Sequence, residues 1–359
     1  MIPAEVYITL DQVSGLGPRK VRNIFNTYPS ISSWPDLLNA DLTIIEGLSK
    51  ILNDRIRQAD TGQARQILDQ CDKLSARYVA LTDPDYPALL AELYDAPSGI
   101  YVRGTGRLDA DYIAVVGTRR ASDYGRQATQ ELTAGMVASG LGIVSGMARG
   151  IDSAAHQAAL KSGGMTAAVL GTGVDVVYPS ENRKLFDQIV ERGVLISEYP
   201  PGTKPDGHHF PQRNRIISGL SMGTLVVEAG KGSGAIITAL RSMDQNREVF
   251  AVPGRVDDPR SAGCHALIQD GAKLVMRVED IFNELQPPYS AGPGEQIEII
   301  RDLPEPEQKV LGYLSGEPVI VDKIAEDLSW NISELLSLLM TMELQGLVVQ
   351  SAGKRYSKV

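Results

Sequence analysis

The stretch YIAVVGTRRASDYGRQATQELTAGMVASGLGIVSGMARG, residues 112–150, joins two short apolar runs through one long amphipathic segment. The runs 112–117 and 141–146 are rich in Val, Ile and Leu, which suits strands buried on both faces of a sheet. The segment between them has the length and the mixed polarity of a surface helix. This part of the chain therefore predicts two parallel strands connected by a helix.

The same alternation continues to residue 286. Further apolar runs lie at 166–171, 194–199, 222–230 and 248–254, and helical segments at 152–163, 181–193 and 234–247. Apolar runs separated by helices of this length indicate a parallel sheet covered on both faces. We predict an α/β fold over residues 111–286, a doubly wound, Rossmann-like and mostly parallel sheet.

The residues before the sheet show a different pattern. Residues 1–77 are predicted to form a helical domain, in which DQVSGLGPRKVRNIF, residues 11–25, has the glycine turn of a helix-hairpin-helix or SAM-like unit. A weaker copy lies at 43–56, and two tight turns between packed helices are the alternative interpretation. Residues 78–110 are predicted to be a connector that packs on the next domain.

The residues after the sheet predict a linker and a small domain. Residues 287–303 are rich in Pro, Gly and Glu, which is typical of a linker. Residues 304–359 predict three helices and a hairpin, the pattern of a winged helix. Its third helix offers Glu334 and Glu343 and no Lys or Arg, so we expect a protein contact or a regulatory role rather than reading of a DNA groove.

Composition and charge limit the class of protein. The chain has 359 residues, 43% of them hydrophobic, and a formal net charge of -9. Residues 111–286 are nearly neutral, with 18 basic against 19 acidic side chains, so a positive groove there is compatible with the acidic total. No window predicts a membrane span and the start does not read as a signal peptide, so we expect a cytoplasmic protein. The two cysteines, Cys71 and Cys264, predict reduced thiols.

Residues that follow the predicted strands are of one kind. They are mostly Gly, Ser, Thr and Arg, and these strand ends meet at one edge of a parallel sheet. Glycine exposes backbone amides and helix N-termini favour anions, so the edge predicts a surface for phosphate groups. No glycine fingerprint of a nicotinamide site, no P-loop and no metal-ligand spacing occurs, so we predict no cofactor and no metal.

Four polar residues near these strand ends need separate interpretation. His156 lies among alanines on a predicted helix and is expected to be structural, and Asp152 is expected to cap the same helix. Glu198 and Glu228 follow two different strands and are candidates for an acid and base pair. The sequence does not show whether they face each other.

Seven motifs follow one another in this domain. They are VVGTRRASDYG (115–125), VSGMARGIDSAAH (144–156), AAVLGTGVDVVYPSENRKL (167–185), ISEYPPGTKP (196–205), HHFPQRNRIISGLS (208–221), LVVEAGKGSGAIITA (225–239) and VFAVPG (249–254). In this order they resemble the DNA-processing protein A family, also called DprA or Smf. The predicted flanking domains resemble those of many members.

The resemblance implies a non-enzymatic protein without catalytic residues. It implies that the protein binds and protects single-stranded DNA, forms homodimers, displaces single-strand binding protein and loads the recombinase RecA in natural transformation. It places the Gly-x-Arg motif, Gly117 to Arg119, and the HFPxRN motif at the DNA. Some members have a lysine shortly before the two histidines, where this chain has Asp206 and Gly207, and Lys204 is the candidate substitute. The segment 261–275 is the candidate dimer contact.

A single-strand binder needs a cationic groove for the backbone and an aromatic side chain for the bases. The predicted DNA-binding set is Gly117, Thr118, Arg119, Arg120, Ser122, Gly146, Arg149, Lys204, His209, Phe210, Arg213, Asn214 and Arg215. The alternative is that Phe210 belongs to the core and that the arginines pair with nearby carboxylates. Two other functions stay open: a nucleotide-processing enzyme of the phosphoribohydrolase type that uses Glu228, and an interaction scaffold that binds no nucleic acid.

Overall fold

A computed structural model describes residues 3–285, 304–314, 318–344, 347–351 and 353–358. The chain divides into two compact units, Met1–Gly292 and Pro293–Val359. The predicted helical domain therefore lies in the same unit as the sheet. The predicted linker, 287–303, lies outside the described residues.

The sheet of the first unit has nine strands in the order β1-β2-β6-β5-β4-β3-β7-β8-β9. The strands from β6 to β9 pair in parallel, and β1 and β2 pair antiparallel. The strands are β1 (Ala76–Ala80), β2 (Gly99–Gly104), β3 (Tyr112–Val116), β4 (Gly142–Ser145), β5 (Thr166–Leu170), β6 (Val194–Ser197), β7 (Ser221–Val226), β8 (Glu248–Ala251) and β9 (Lys273–Leu274). Every apolar run of the predicted domain forms a strand, so the predicted fold is confirmed.

Helices cover both faces of this sheet. They are α1 (Ala4–Asp11), α2 (Pro18–Thr27), α3 (Trp34–Asn39), α4 (Lys50–Arg57), α5 (Thr61–Lys73), α6 (Ala88–Ala91), α7 (Asp123–Ala138), α8 (Ile151–Lys161), α9 (Arg183–Arg192), α10 (His209–Gly219), α11 (Gly234–Asp244), α12 (Ala262–Gln269) and α13 (Glu279–Phe282). Helices α6, α10, α11 and α12 lie on one face, and α7, α8, α9 and α13 on the other. In β3, Ala114 and Val116 face the first layer and Ile113 and Val115 the second, which explains why the run is continuously apolar.

The predicted connector, 78–110, is corrected by the structure. Residues 76–80 and 99–104 form an antiparallel pair of strands, and β2 extends the sheet beside β6. The three prolines at positions 84, 87 and 97 and the short helix α6 hide this pairing in the sequence, because the two strands are not joined by a tight turn. The helical domain packs its core on these two strands through Tyr78 and Tyr101.

In the first of the two glycine turns, α1 and α2 are joined through Gly15 at a φ of +88°. In the second copy only a single 3₁₀ turn, Leu42–Ile44, precedes Gly47 and α4. The basic side chains of α2 contact the rest of their own unit. Arg22 donates to the carbonyls of Leu93 (2.8 Å) and Ala91 (2.9 Å), so its guanidinium is occupied in domain packing.

The second unit is a small helical domain with a three-stranded sheet. It contains α14 (Glu305–Tyr313), β10 (Val319–Ile320), α15 (Val321–Asp327), α16 (Ile332–Leu344), β11 (Val348–Ser351) and β12 (Arg355–Lys358), with strand order β10-β12-β11. Its core is formed by apolar side chains of all three helices. Glu334 and Glu343 are exposed on the third helix. The predicted winged helix is confirmed.

Candidate nucleic-acid interface

A cleft of about 690 Å³ opens at the carboxyl ends of the central strands. The chain runs from β3 outward to β6 on one side, and then returns to place β7 on the other side of β3. The loops after β3 and β7 therefore diverge, and such a switch point is where open parallel sheets bind ligands. The cleft is lined by the loop after β3, the loop before α10, α10 itself and the start of α11.

The loop after β3 is held by backbone bonds to its neighbours. The amide of Thr118 donates to the carbonyl of Glu228 (2.7 Å), and its carbonyl accepts from the amide of Ile151 (3.2 Å). Position 117 needs glycine, because a Cβ there would lie only 2.9 Å from the Glu228 carbonyl oxygen. Arg119 and Arg120 at the end of this loop are exposed, and no side-chain bond of Arg119 to another described residue is found. The loop presents cations on a fixed backbone.

Ser122 and Glu228 bind each other behind this loop. The Ser122 amide (2.9 Å) and hydroxyl both donate to the buried Glu228 carboxylate, while the hydroxyl accepts from Gly125 and caps α7. These bonds give the Ser122 side chain a structural role, so its prediction as a DNA contact finds no support here. Four strand spacings, about 19 Å, separate the ends of β6 and β7, so Glu198 and Glu228 do not form an acid and base pair.

Arg213 is buried at the carboxyl ends of β4 and β5, with 5% of its surface exposed. Its Nη1 donates to the carbonyls of Gly146 (2.8 Å) and Val169, and its Nε to Asn214 Oδ1 (3.2 Å). Burial lowers the pKa of Arg213 to about 10, which keeps the side chain charged at neutral pH. Arg213 thus borders the cleft, and its guanidinium donates hydrogen bonds to backbone carbonyls at the carboxyl ends of β4 and β5. Gly146 is buried beneath this guanidinium.

Asp152 and His156 on α8 are both buried. Asp152 accepts from the amides of Gly146 (3.1 Å) and Ala148 (3.3 Å), so it binds the preceding loop, and the predicted capping of its own helix is wrong. His156 Nδ1 lies 2.7 Å from Thr166 Oγ1, which in turn donates to the Ile143 carbonyl (3.0 Å). Because that hydroxyl has one proton, the histidine must donate from Nδ1. Burial lowers the pKa of His156 to about 3, and its structural role is confirmed.

Two aromatic pairs flank the entrance of α10. Phe210 is half-buried and stacks on Tyr178 with ring centroids 5.4 Å apart, and both rings line the cleft. Tyr178 is 42% exposed. His209 stacks on Tyr199 at 3.9 Å and approaches the Gly171 carbonyl (3.1 Å). Sequence reasoning missed Tyr178, although a tyrosine before proline in a strand-exit loop is the kind of exposed aromatic side chain that binds bases.

The other predicted residues differ in how available they are. Lys204 is exposed, and Asn214 contacts Arg213 and the Gly234 carbonyl (3.4 Å). Arg149 is exposed but forms an ion pair with Glu181. Arg215 is 8% exposed and pairs with Glu198, with Asp95 3.6 Å away, on the side of α10 that faces away from the cleft. Arg215 does not line the cleft, and its charge is neutralised within the protein, so its prediction as a DNA contact finds no support here.

Two family models cover most of this chain. Residues 77–286 match DNA recombination-mediator protein A, and residues 298–354 match the DprA winged helix domain. The chain belongs to the DNA processing protein A family. The function predicted for it at this level, a DNA-processing recombination mediator, is thereby confirmed.

Individual DprA and Smf proteins show how far the similarity extends. A Protein Smf of Synechocystis is 32% identical over 98% of both chains, and DNA processing protein DprA of Streptococcus pneumoniae is 40% identical over 76% of this chain and 95% of its own. The solved structure of the S. pneumoniae DprA has a TM-score of 0.70 with 36% identity and covers 80% of this chain and 99% of its own.

A solved structure of DNA processing protein A from Helicobacter pylori, described for its single-stranded DNA binding mode, has a TM-score of 0.53 and 29% identity. It covers 58% of this chain and 94% of its own. Among the described residues of the present DprA-family chain, no helix is long and apolar enough to span a membrane, and no group of His, Cys, Asp or Glu is arranged to hold a metal ion.

Proposed function

We propose that this protein binds single-stranded DNA in the cleft between the ends of β3 and β7 and acts there as a recombination mediator. The observation that carries the proposal is the meeting of the exposed cation Arg119, a glycine-rich backbone and stacked aromatic rings in one cleft. Single-strand binders combine these three elements. The relative from H. pylori, whose structure is described for single-stranded DNA binding, supports the same ligand.

The phosphate path runs along the lips of the cleft. Arg119 and Arg120 stand on the loop after β3, and Lys204 stands on the loop before α10. The start of α11, with Ser233 as its N-cap and Gly234 as its first residue, lies between these loops and adds a helix N-terminus. A DNA phosphate bound at any of these three positions stays accessible to solvent and salt. The affinity for DNA is therefore expected to depend on ionic strength.

The base platform is the pair Tyr178 and Phe210. Phe210 is held against Gly171 by its edge and against Tyr178 by its face, so it forms a rigid floor. Tyr178 keeps part of its ring exposed, which leaves room for a base to stack on it. Stacking of this kind contributes roughly 1–3 kcal/mol per base and does not depend on sequence.

Arg119→Ala is expected to weaken binding of an oligothymidylate about tenfold or more at low salt and to reduce the slope of log affinity against log salt by about one charge. The reason is that Arg119 is exposed at the cleft and makes no side-chain bond to a described residue, so a phosphate loses a direct partner. Fluorescence anisotropy of a labelled oligothymidylate over a salt series measures both quantities.

Lys161→Ala is the matched control. Lys161 is also exposed and loses the same charge, but it stands at the far end of α8, at the amino-end side of the sheet. Its affinity and salt slope should stay at wild-type values. Equal effects of the two variants, or none from Arg119→Ala, would show that the cleft is not the DNA site.

We propose further that the protein acts with RecA and single-strand binding protein and works as a homodimer, as the family resemblance implies. The surface that fits a protein partner is the exposed face of α11, where Ile237, Leu240 and Met243 are 41–51% exposed next to the cleft. Contiguous exposed apolar side chains of this kind favour protein association. For the homodimer, α12 and the edge strand β9, with the exposed Leu274, support the segment 261–275 as the contact.

Leu240→Glu is expected to leave the affinity for single-stranded DNA within twofold of wild type and to abolish most of the stimulation of RecA. A buried charge at a protein interface without a partner is costly, whereas α11 itself loses no core contact. The measurement is RecA strand exchange on DNA coated with single-strand binding protein. Ile51→Glu on α4, where the isoleucine is 66% exposed, is the control and should behave as wild type. Normal stimulation by Leu240→Glu would contradict the assignment of α11.

We also propose that binding is not accompanied by catalysis. Glu228, the residue that a phosphoribohydrolase would need, accepts two bonds from Ser122 and does not line the cleft. This geometry supports a role in holding the loop after β3 against α7.

A further inference from the structure

An exposed tyrosine stands outside the cleft, at the far end of the loop after β3. Tyr124, in the first turn of α7, is 52% exposed. Its hydroxyl donates to the carbonyl of Pro253 (2.7 Å) in the loop after β8. Strand β7 lies between β3 and β8, so this side chain spans the carboxyl end of β7. The ring is therefore tethered at the same edge of the sheet as the cleft, and about half of it is open to solvent.

The backbone beneath this ring is fixed as well. The Ser122 hydroxyl accepts from the Gly125 amide (2.9 Å), and the buried Glu228 carboxylate accepts from the Ser122 amide (2.9 Å). A Cβ at Gly125 would collide with that carboxylate, so the start of α7 lies directly against the loop after β7. Because both the hydroxyl and the backbone of Tyr124 are held, a base that stacks on the ring orders few further groups.

Cations stand on the loops around Tyr124. Arg120, on the loop after β3, and Lys231, on the loop after β7, are exposed, and no side-chain bond from either to another described residue is found. Arg255, on the loop after β8, pairs with Asp257 at 3.0 Å, and its side chain is 83% exposed. Exposed pairs of this kind contribute about 0–1 kcal/mol, so a DNA phosphate can replace the carboxylate.

The cleft and Tyr124 follow one another along the edge of the sheet. Tyr178, in the base platform, stands on the loop after β5, and Tyr124 spans the end of β7, three strand spacings or about 14 Å further along. Arg119 lines the cleft, and Arg120 follows it where the loop turns toward α7. A strand that stacks on the base platform and continues past Arg119 therefore reaches the ring of Tyr124.

The composition of this surface favours nucleic acid over a protein partner. Val256, the most exposed apolar side chain of the loop after β8, stands alone between Arg255 and Asp257. Protein contacts are marked by contiguous apolar patches, whereas single-strand binders place an aromatic ring among cations. The surface around Tyr124 has the second arrangement.

We propose that Tyr124, with Arg120 and Lys231, forms a second binding surface for the strand held in the cleft, and that one further base stacks on the tyrosine ring. This inference rests on the proposed binding of single-stranded DNA. It extends the contact with the strand from the loop after β5 to the loop after β8, and it assigns a base-stacking role to a residue outside the cleft.

Tyr124→Leu should weaken binding of a 20-nucleotide oligothymidylate about tenfold, because leucine keeps an apolar side chain but offers no ring for stacking. The slope of log affinity against log salt should stay at the wild-type value, since the phosphate contacts remain. Tyr124→Phe keeps the ring and should bind within threefold of wild type. Competition anisotropy with the full chain over a salt series measures both quantities. A salt slope that falls in Tyr124→Leu would mean that the tyrosine only holds the loop of Arg119, and would overturn the proposal.

Tyr94→Leu is the matched control. Tyr94 is 63% exposed and has the Arg19 guanidinium 4.0 Å from its ring centroid, so it also combines a ring with a cation. It lies between β1 and β2, at the opposite edge of the sheet, and this variant should bind DNA as wild type does. Equal losses in Tyr94→Leu and Tyr124→Leu would overturn the assignment.

Photocrosslinking of the wild-type protein tests the contact directly. Oligothymidylates that carry one 5-iododeoxyuridine at successive positions should label Tyr124 from positions a few nucleotides away from those that label Tyr178. Labelling of Tyr178 without labelling of Tyr124 from any position overturns the second surface and leaves the cleft intact. So does a loss of affinity in Arg119→Ala without one in Tyr124→Leu. Failure of the wild-type protein to bind oligothymidylate overturns the proposed function as well.

Discussion

Replacing Arg213 by alanine is expected to lower the free energy of unfolding by about 3–5 kcal/mol. The buried guanidinium donates to the carbonyls of Gly146 and Val169, and each charged bond of this kind contributes about 1.5–3 kcal/mol. Without it the two carbonyls stay buried and unpaired. The buried carboxyl of Asp152 also loses the cation that opposes the rise in its pKa caused by burial. Urea unfolding of the full chain, followed by circular dichroism, measures the loss.

The control for this prediction is Arg149→Ala. Arg149 leaves the same edge of the sheet, but it is 62% exposed and its ion pair with Glu181 lies in solvent. Exposed pairs contribute about 0–1 kcal/mol, so this variant should unfold near the wild-type midpoint. If Arg213→Ala were as stable as Arg149→Ala, the strand ends would not depend on the guanidinium, and Arg213 would be free to serve the DNA instead.

Three arginines near the strand ends show which part of the site could not be predicted from the sequence. Arg119, Arg213 and Arg215 all follow strands and all resemble phosphate contacts in a local pattern. Their roles differ because of neighbours far away in the chain: Arg213 meets two strand ends, Arg215 meets Glu198 and Asp95, and Arg119 meets solvent. No local pattern contains this information, since it depends on which strands become adjacent.

The fold was more predictable than the site for the same reason. Strands such as 112–116 are apolar on both faces, which is a property of the segment itself and predicts a buried parallel strand. The antiparallel pairing of residues 76–80 with residues 99–104 was missed because a proline-containing segment separates the two strands in the sequence. Phe210 is intermediate. A residue before proline favours an extended backbone, whereas α10 begins at His209 and the ring of Phe210 is half-buried on Tyr178.

Gly150→Ala is expected to weaken single-stranded DNA binding at least tenfold and to destabilise the protein by about 2–4 kcal/mol. Gly150 has a φ of +78° and a ψ of -122°, a backbone conformation that suits glycine almost alone. A Cβ there would also collide with the carbonyl of Thr118 and lie 2.8 Å from the carbonyl carbon of Arg119. The loop that presents Arg119 must therefore move, because the obstacle is backbone and not a flexible side chain.

Gly163→Ala separates the effect of backbone strain from the effect of the collision with the loop after β3. Gly163 also has a positive φ, +71°, but nothing lies within 4 Å of a Cβ at that position, and it stands in the loop between α8 and β5. This variant should lose about 1 kcal/mol through backbone strain alone and should bind DNA as wild type does. Thermal unfolding and oligothymidylate anisotropy on both variants measure the difference. Wild-type DNA affinity in folded Gly150→Ala would show that the position of the loop after β3 does not determine binding, since the collision displaces that loop and leaves the aromatic platform in place.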